Sequence, residues 1–235
     1  MDKQNLTVPI AIVIAGIIIG GAIYLGKDNK NNDTTNNTDV PNFAKCLNDG
    51  KYAQKVEDDL QDGIKSGANG TPHSIVINDK GEKFAIRGAL PYEQVKTMLD
   101  QIIAGNAPAE SKITIEGPRS VDTNDHVLGN FNAPVTIIEF SDTECPFCKK
   151  FHETMQKIMD EYGKDGEVKW VYRHFPLDQI HSKARKEAEA TECANEIGGN
   201  EKFWEYINKI YEITPSNNGL DPAELLKIAK SIGLN

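Results

Sequence analysis

Apolar residues form one uninterrupted stretch near the amino terminus. Residues 8–26 are nineteen residues without a charged side chain, and at ~1.5 Å per residue they nearly span a ~30 Å hydrocarbon core. Residues 27–39 then contain no apolar side chain and have nothing to bury. We therefore expect residues 1–26 to be a membrane anchor and residues 27–41 a flexible linker. A cleaved signal peptide is the alternative, although its apolar region is about 7 to 15 residues long.

From residue 42 onward, apolar positions recur at helical or strand spacing. Helical periodicity predicts helices at 51–66, 91–105, 146–162, 182–197, 201–212 and 221–232. Short apolar runs predict strands at 74–77, 84–87, 113–115, 135–140 and 168–174. Residues 74–77 and 84–87 flank a turn and should form a hairpin, and 135–140 is apolar enough for a buried central strand. Alternating strands and helices indicate an α/β fold, followed by an all-helical part.

The net charge and the amino-acid composition exclude several classes of protein and of partner. The chain has 35 acidic and 26 basic residues, for a net charge of -9. Without a basic stripe, a nucleic acid is not an expected partner. A hydrophobic content of 39% and an aromatic content of 7% exclude a multi-span membrane protein, a collagen-like chain and a wholly disordered one.

The sequence Cys145-Pro146-Phe147-Cys148 lies between the predicted strand 135–140 and an amphipathic helix. Both sulfurs therefore fall in the first helical turn, where unpaired N–H groups and the helix dipole stabilise a thiolate. Pro146 suits the first helical position because its missing N–H is not needed there. We expect Cys145 to be a nucleophile with a lowered pKa and Cys148 to be the resolving thiol.

Two other interpretations of the motif remain open. The pair could be half of a zinc site completed by Cys46 and Cys193, with His152 as a further candidate ligand. It could also be a structural disulfide, although the strand, Cys-Pro-x-Cys, helix context favours a redox dithiol. The simpler interpretation of His152 is an ordinary exposed helix residue.

Longer segments around the motif resemble DsbA-like thiol:disulfide oxidoreductases of the thioredoxin superfamily. The segments that carry the resemblance are DHVLGN at 125–130, APVTIIEFSD at 133–142, the CPFC motif, RHFPL at 173–177, the Ala-rich helix with Cys193, and Phe203-Trp204. The resemblance implies a thioredoxin-like fold over residues 42–235, with a helical insertion subdomain at about 178–235 plus 42–66. It implies no cofactor beyond the cysteines.

The order of the segments departs from the family. Gly70-Thr71-Pro72 resembles the loop whose cis-proline faces the active-site disulfide, but in the family this loop, the hairpin and the last helix follow the helical insertion. Here they come first, as residues 42–104. This order indicates a circular permutation, and the 22 residues at 105–126 could span up to about 70 Å. A scrambled gene sequence is the alternative.

The resemblance also implies roles for single residues. Thr71, Pro72 and Phe147 would bind the substrate peptide. Glu139 would shuttle the proton of Cys148, and burial in an apolar strand should raise its pKa; the alternative is a carboxylate at the sheet edge that points to water. Cys46 and Cys193 would form a structural disulfide, the alternative being two buried thiols.

These features predict an anchored enzyme in the cell membrane, single-pass, with its catalytic domain extracytoplasmic. The family resemblance implies that its substrates are protein or peptide thiols or disulfides and that a membrane partner of the quinone-linked or VKOR-like kind reoxidises it. Strong oxidants of the family have His where this chain has Phe147, so a less oxidising potential is expected and a disulfide reductase is the alternative. A non-catalytic metal-binding module built on Cys145, Cys148 and His152 is the rival from another class.

Overall fold

A computed structural model describes residues 42–234, so the predicted anchor and linker lie outside the described residues. The helices are α1 (Phe43–Asn48), α2 (Ala53–Lys65), α3 (Tyr92–Ile103), α4 (Pro146–Ile158), α5 (Ala184–Ile213) and α6 (Ala223–Ser231). The strands are β1 (His73–Ile77), β2 (Lys83–Arg87), β3 (Lys112–Ile113), β4 (His126–Leu128), β5 (Val135–Ser141) and β6 (Val168–His174). Over residues 42–234, none of the helices has the length and apolar character needed to cross a membrane.

The six strands form one sheet in the order β3-β2-β1-β5-β6-β4. β5 and β6 are parallel, and the other neighbouring pairs are antiparallel. The predicted hairpin is confirmed, since β1 pairs with β2 in register from His73 opposite Arg87 to Ile77 opposite Lys83. β5 lies in the middle of the sheet, as its apolar sequence predicts, because a strand covered on both faces has no solvent-facing side to make polar.

Helices cover both faces of the sheet. Ile137 of β5 points to the face on which α3 and α4 pack, through Val95 and Phe151. Ile138 and Phe140 point to the other face, where Leu60 of α2 contributes to the same apolar cluster. The alternation follows from the two-residue period of a strand. The chain is therefore a mixed α/β fold in three layers, with the active-site helix α4 on one face.

A second apolar core lies among α1, α5 and α6. Its buried members include Phe43, Leu47, Tyr206, Leu225, Ile232 and Leu234. Cys46 of α1 and Cys193 of α5 form a disulfide within this core. α5 bends at Gly199, whose φ of 73° is not helical, and this bend separates the two helices predicted at 182–197 and 201–212. Residues near both ends of the described chain thus share one hydrophobic core.

Candidate active site

The two motif cysteines stand where β5 passes into α4. Cys145 is the N-cap of α4, Pro146 begins the helix, and Cys148 follows within the first turn. Both are free thiols; Cys148 is completely buried, and Cys145 is buried except for a small exposed fraction. The Phe147 side chain between them is 64% exposed. The sulfurs therefore lie at a helix N-terminus, with Cys145 nearer to solvent.

Thr71 and Pro72 lie beside Cys145. The Cys145 thiol donates a hydrogen bond to the Thr71 carbonyl oxygen over 3.5 Å, and the Thr71-Pro72 peptide bond is cis. The contact follows from the sheet, since β1 begins at His73 and pairs antiparallel with the end of β5 at Phe140. The fold therefore brings Thr71, Pro72 and Cys145 together from distant parts of the sequence.

The pKa values of the two thiols are shifted in opposite directions. A hydrogen bond from Cys148 lowers the pKa of Cys145 to about 6, and the side chain of Thr71 and the backbone N–H groups of Phe147 and Cys148 add to this effect against burial. Burial raises the pKa of Cys148 well above its usual value, and the neighbouring Cys145 raises it further. At neutral pH the site therefore favours a thiolate at Cys145 and a protonated thiol at Cys148.

Asp142 organises the loop before the motif. Its backbone N–H points to Cys148 Sγ at 3.4 Å, and one carboxylate oxygen accepts from the N–H of Leu177 (2.7 Å) and faces Nδ1 of His181 (2.9 Å). The other oxygen accepts from the N–H of Glu144 at 2.8 Å. Burial raises the pKa of Asp142. Sequence reasoning missed this residue, although a polar side chain directly after a buried strand is a signal for it.

A groove of about 690 Å³ opens next to Cys145. Residues from five segments of the chain line it, among them Gly70, Thr71, Phe147, Leu177, Ile180 and His181. Phe147 and Ile180 are large apolar side chains that stay exposed, at 64% and 63%. Exposed apolar side chains at the rim of a groove are typical of a peptide-binding surface. Cys145 is itself one of the residues that line the groove.

Glu139 is fully buried on β5, paired with Ser74 of β1 and Tyr172 of β6. Neither carboxylate oxygen has a hydrogen-bond partner among residues 42–234. Burial raises the pKa of Glu139 to about 7, while the nearby side chains of Ser141 and Trp170 lower it in part. The alternative of a water-facing carboxylate at the sheet edge is wrong, because β5 is an interior strand. The side chain shares the sheet face of Ile137, on which α4 and Cys148 lie.

The interpretation of His152 as an exposed helix residue is wrong. It lies one turn after Cys148 on the buried face of α4, between Phe151 and Met155, and is 3% exposed. Nε2 of its ring contacts Oδ1 of Asn208 at 2.7 Å, and burial lowers its pKa to about 4. The amphipathic spacing of the helix places residue 152 beside apolar neighbours, although a polar His is more often expected to face solvent.

Metal-ligating side chains come together elsewhere. In the described part of the chain, the group close enough to share one ion is His126, His174 and Glu192, which includes neither motif cysteine. Glu192 Oε1 lies 2.8 Å from Nε2 of His126 and 3.1 Å from Nε2 of His174, with the Lys55 ammonium at 3.6 Å. Burial opposes ionisation, yet these partners hold the pKa of Glu192 well below its usual range. The group is a buried polar contact between α5 and the sheet, and its three members are too far apart in the sequence for a motif to reveal it.

Comparison with known proteins supports the resemblance seen in the sequence. A family model described as Thioredoxin matches residues 121–231. Disulfide bond formation protein D of Bacillus subtilis is 31% identical over 108 residues, which are 45% of this chain and 47% of that protein. Na(+)/H(+) antiporter NhaA 3 of Salinispora tropica is 36% identical over 111 residues, 47% of this chain and 16% of that protein. The crystal structure of Pseudomonas aeruginosa DsbA2 matches with 34% identity and a TM-score of 0.38, covering 49% of this chain and 66% of that one.

Residues 121–231 match the thioredoxin family model, and this match and the similarity to disulfide bond formation protein D support the resemblance to DsbA-like thiol:disulfide oxidoreductases. The chain spans less than half the length of the two curated relatives. The residues matched by the family model include β4, β5, α4, β6, α5 and α6. The hairpin β1–β2 and α3, which precede them here, lie outside that match.

Proposed function

We propose that this protein exchanges disulfides with protein or peptide thiols through the Cys145/Cys148 pair. The observation that carries the proposal is the asymmetry of the two thiols. Cys145 has a pKa lowered to about 6 and borders a groove, while Cys148 is completely buried behind it. An accessible acidic thiol is a good nucleophile and leaving group, and a buried neighbour closes the disulfide without competing for substrate.

In the oxidative direction, a substrate thiolate attacks Cys145 Sγ of the Cys145–Cys148 disulfide. The S–S bond breaks, Cys148 leaves with the electron pair, and Glu139 gives it a proton. A second substrate thiolate then attacks the substrate sulfur of the mixed disulfide, and Cys145 leaves as a thiolate. Two electrons pass from the substrate to the protein. The raised pKa of Glu139, about 7, suits a group that both gives and takes a proton near neutral pH.

The substrate peptide would lie extended along the groove, next to the Thr71 backbone and Pro72. Phe147 and Ile180 would contact its apolar side chains. The 3.5 Å contact of the Thr71 carbonyl with Cys145 Sγ supports this placement, because a peptide pairing with the backbone there would bring its own sulfur to Cys145.

We propose that oxidation is the working direction. A reduced state stabilised by a pKa of about 6 at Cys145 makes the disulfide oxidising. Phe147 supplies no positive charge, so the potential should be less oxidising than that of relatives with His in this place. A membrane partner of the quinone-linked or VKOR-like kind would restore the disulfide. A potential in the range of thioredoxin, ~-270 mV, would favour the reductase alternative.

The chain order supports a circular permutation. Phe43 and Leu47 share one buried core with Ile232 and Leu234, so the two ends of the described chain meet in the same subdomain. We propose that the domain is permuted within this helical part and that residues 8–26 anchor it in the cell membrane as a single span. The catalytic domain would then be extracytoplasmic, where a disulfide such as Cys46–Cys193 persists.

The proposed activity is tested by oxidising a reduced two-cysteine peptide with the purified oxidised protein and by reducing insulin with the dithiol form. Wild-type protein should catalyse at least one of the two reactions. Cys145→Ser should abolish both, and Cys148→Ser should trap a mixed disulfide at Cys145. Thiol exchange that persists in Cys145→Ser would overturn the assignment.

A further inference from the structure

The buried side of the active site contains several polar atoms that are unpaired among residues 42–234. They are both oxygens of Glu139, Oγ of Ser74, Nδ1 of His152, and Nε1 of Trp170 and Trp204. Buried polar atoms in native proteins are nearly always paired, with protein groups or ordered water. Ring contacts join Trp170 to His152 and to Trp204, and Ser74 is the register partner of Glu139, so these unpaired groups belong to one region that needs an explanation.

Side chains connect the acid to His152. Glu139 is the register partner of Tyr172, and the Tyr172 and Tyr211 hydroxyls are 2.9 Å apart. Ser141, on the same strand face as Glu139, places its hydroxyl 3.1 Å from that of Tyr211. The Tyr211 ring in turn packs on the His152 ring, with centroids 4.5 Å apart. These hydroxyl and ring contacts lead from the strand of Glu139 to the imidazole. Since neither the Glu139 oxygens nor Nδ1 of His152 has a direct hydrogen-bond partner among residues 42–234, a proton would need a bridging water at each end.

The two nitrogens of His152 face opposite ways. Nε2 is 2.7 Å from Oδ1 of Asn208, a side chain that is exposed to solvent. Gln156 also donates to this oxygen, at 3.2 Å, so Oδ1 is the acceptor and Nε2 carries the hydrogen. Nδ1 is then an acceptor, buried and unpaired among the described residues. A neutral imidazole in this state can take a proton from the interior at Nδ1 and release another from Nε2.

We propose that His152 is the relay through which Glu139 exchanges its proton with solvent, by way of the Tyr211 hydroxyl or a bridging water. This inference rests on the proposed thiol exchange. When Cys148 attacks as a thiolate to form the disulfide, its proton passes to the Glu139 carboxylate. That proton then reaches Nδ1 of His152, and one leaves from Nε2 at Asn208. The relay changes no oxidation state, and one proton leaves for each Cys148 thiol consumed.

The titratable groups that interact with Glu139 are Tyr172 from β6 and Tyr211 from α5, each of which also interacts with Cys148 of α4, while β1 contributes the hydroxyl of Ser74. Tyr172 and Tyr211 have pKa values raised well above their usual range by burial. Both therefore stay protonated at neutral pH. Each hydroxyl can pass a proton only if it accepts one proton while it donates another. Because the pKa of Cys145 is about 6, the pH profile of the closure rate reports on both Cys145 and Glu139, and the difference between a variant and wild type isolates the relay.

The test is the rate at which glutathione disulfide closes the Cys145–Cys148 bond in reduced protein, followed by stopped flow from pH 5.5 to 8.5 in H2O and D2O. His152→Gln keeps a side chain that can bond to Asn208 but cannot relay, and should slow closure by about tenfold. Asn208→Leu changes an exposed residue, so it should fold, and should slow the same step. Lys209→Met, its neighbour on α5, is the matched control and should react like wild type.

Three readouts separate a relay from a structural role. The alkylation rate of Cys145 should stay at the wild-type value in each variant. The solvent isotope effect on closure should rise in His152→Gln and Asn208→Leu. In His152→Ala, added imidazole should restore the rate. Wild-type closure rates in His152→Gln or Asn208→Leu would overturn the relay, as would slow closure that imidazole does not restore. Wild-type protein that exchanges no thiols at all would instead refute the proposed function.

Discussion

The Cys145 thiol and the Thr71 carbonyl oxygen are 3.5 Å apart, although 74 residues separate them in the sequence. The contact exists because β5 and β1 are antiparallel neighbours, so the end of one strand meets the start of the other. The contact depends on the pairing of β1 with β5 and not on which of the two strands comes first in the sequence. The circular permutation proposed above would therefore leave Cys145 and its backbone partner Thr71 in place.

Cys145 should alkylate as an acidic thiol. With its pKa lowered to about 6, its rate with iodoacetamide should reach half its maximum near pH 6 and be nearly constant at pH 7 and above. Cys148 is buried, with its pKa raised, and should not react in the folded protein. The rate in Cys148→Ala isolates Cys145 and also removes the hydrogen bond from Cys148, so the midpoint of its pH dependence should move up. A midpoint near that of free cysteine, ~8.5, in wild-type protein would contradict the thiolate assignment.

Glu139→Gln should stabilise the protein at alkaline pH. The pKa of Glu139 rises from 4.5 to about 7 on folding, so the unfolded chain ionises first as pH increases. Ionisation of Glu139 therefore lowers the free energy of unfolding of the wild-type protein. This loss is absent below pH ~4.5, grows up to about pH 7 and is constant above it. At ~1.4 kcal/mol per pKa unit it reaches about 3 kcal/mol.

Urea unfolding of both proteins at pH 4.5 and pH 8 measures this loss. The variant should match wild type at the lower pH and exceed it at the higher one. The exposed Glu201→Gln provides the control for a lost surface charge and should show no such difference. Equal stabilities of Glu139→Gln and wild type at both pH values would mean that Glu139 is not destabilised in the fold.

The strong patterns in the sequence predicted the centre of this molecule well. β5 and α4 are each long enough to show a regular spacing of apolar residues, and the CPFC motif marks their junction. β4 has three residues, too few to show alternation, and was not predicted. β3 has two residues where three were expected, and α4 ends at Ile158, with a π-helical turn at Met159–Gly163 continuing the predicted helix. Short edge strands are defined by their neighbours in the sheet, which the local sequence does not encode.

The residues of the candidate site also differ in how far the local sequence predicts their roles. Cys145, Cys148 and Glu139 stood out because their positions in a strand and a helix set their chemistry. The roles of Asp142 and His152 come from partners far along the chain, Leu177 and Asn208. A polar residue on a buried helix face needs such a partner, and the local sequence does not reveal whether one exists.

Removal of the Cys46–Cys193 disulfide should lower stability and leave the reactive thiol intact. The bond joins residues 147 apart, and the chain-entropy model gives about 5 kcal/mol for a loop of this size, often less in practice. Urea unfolding of Cys46→Ala/Cys193→Ala against wild type measures the loss. Cys145 alkylation should be unchanged, because the disulfide lies in the separate core of α1, α5 and α6. A variant as stable as wild type would show that this bond does not restrain the unfolded chain.

Phe147→His should make the Cys145/Cys148 couple more oxidising. Residue 147 is exposed next to the thiolate, and an imidazolium there would stabilise the anion of the reduced form. A lower pKa at Cys145 by one unit, ~1.4 kcal/mol, corresponds to a potential about 30 mV higher. Equilibration with glutathione measures the potential. Phe147→Gln, polar but uncharged, is the matched control, and a shift as large in Gln as in His would show that charge is not the cause.

Asp142→Ala should destabilise the loops on both sides of the groove. The Asp142 carboxylate accepts hydrogen bonds from the N–H groups of Glu144 and Leu177 and faces His181. All three partners lose their acceptor when the carboxylate is removed, and a buried unpaired donor costs roughly 1–3 kcal/mol. We expect a loss of about 3 kcal/mol or more in urea unfolding, together with a higher KM for a peptide substrate, since Leu177 and His181 line the groove.

Asp142→Asn retains one acceptor oxygen and tests whether hydrogen bonding or charge is responsible. It should recover part of the lost stability, and it should keep the N–H of residue 142 next to Cys148 Sγ. Asp178→Ala removes an exposed carboxylate from the same groove and should change stability by less than about 1 kcal/mol. If Asp142→Ala unfolds at the same urea concentration as Asp178→Ala, the buried carboxylate does not organise the site.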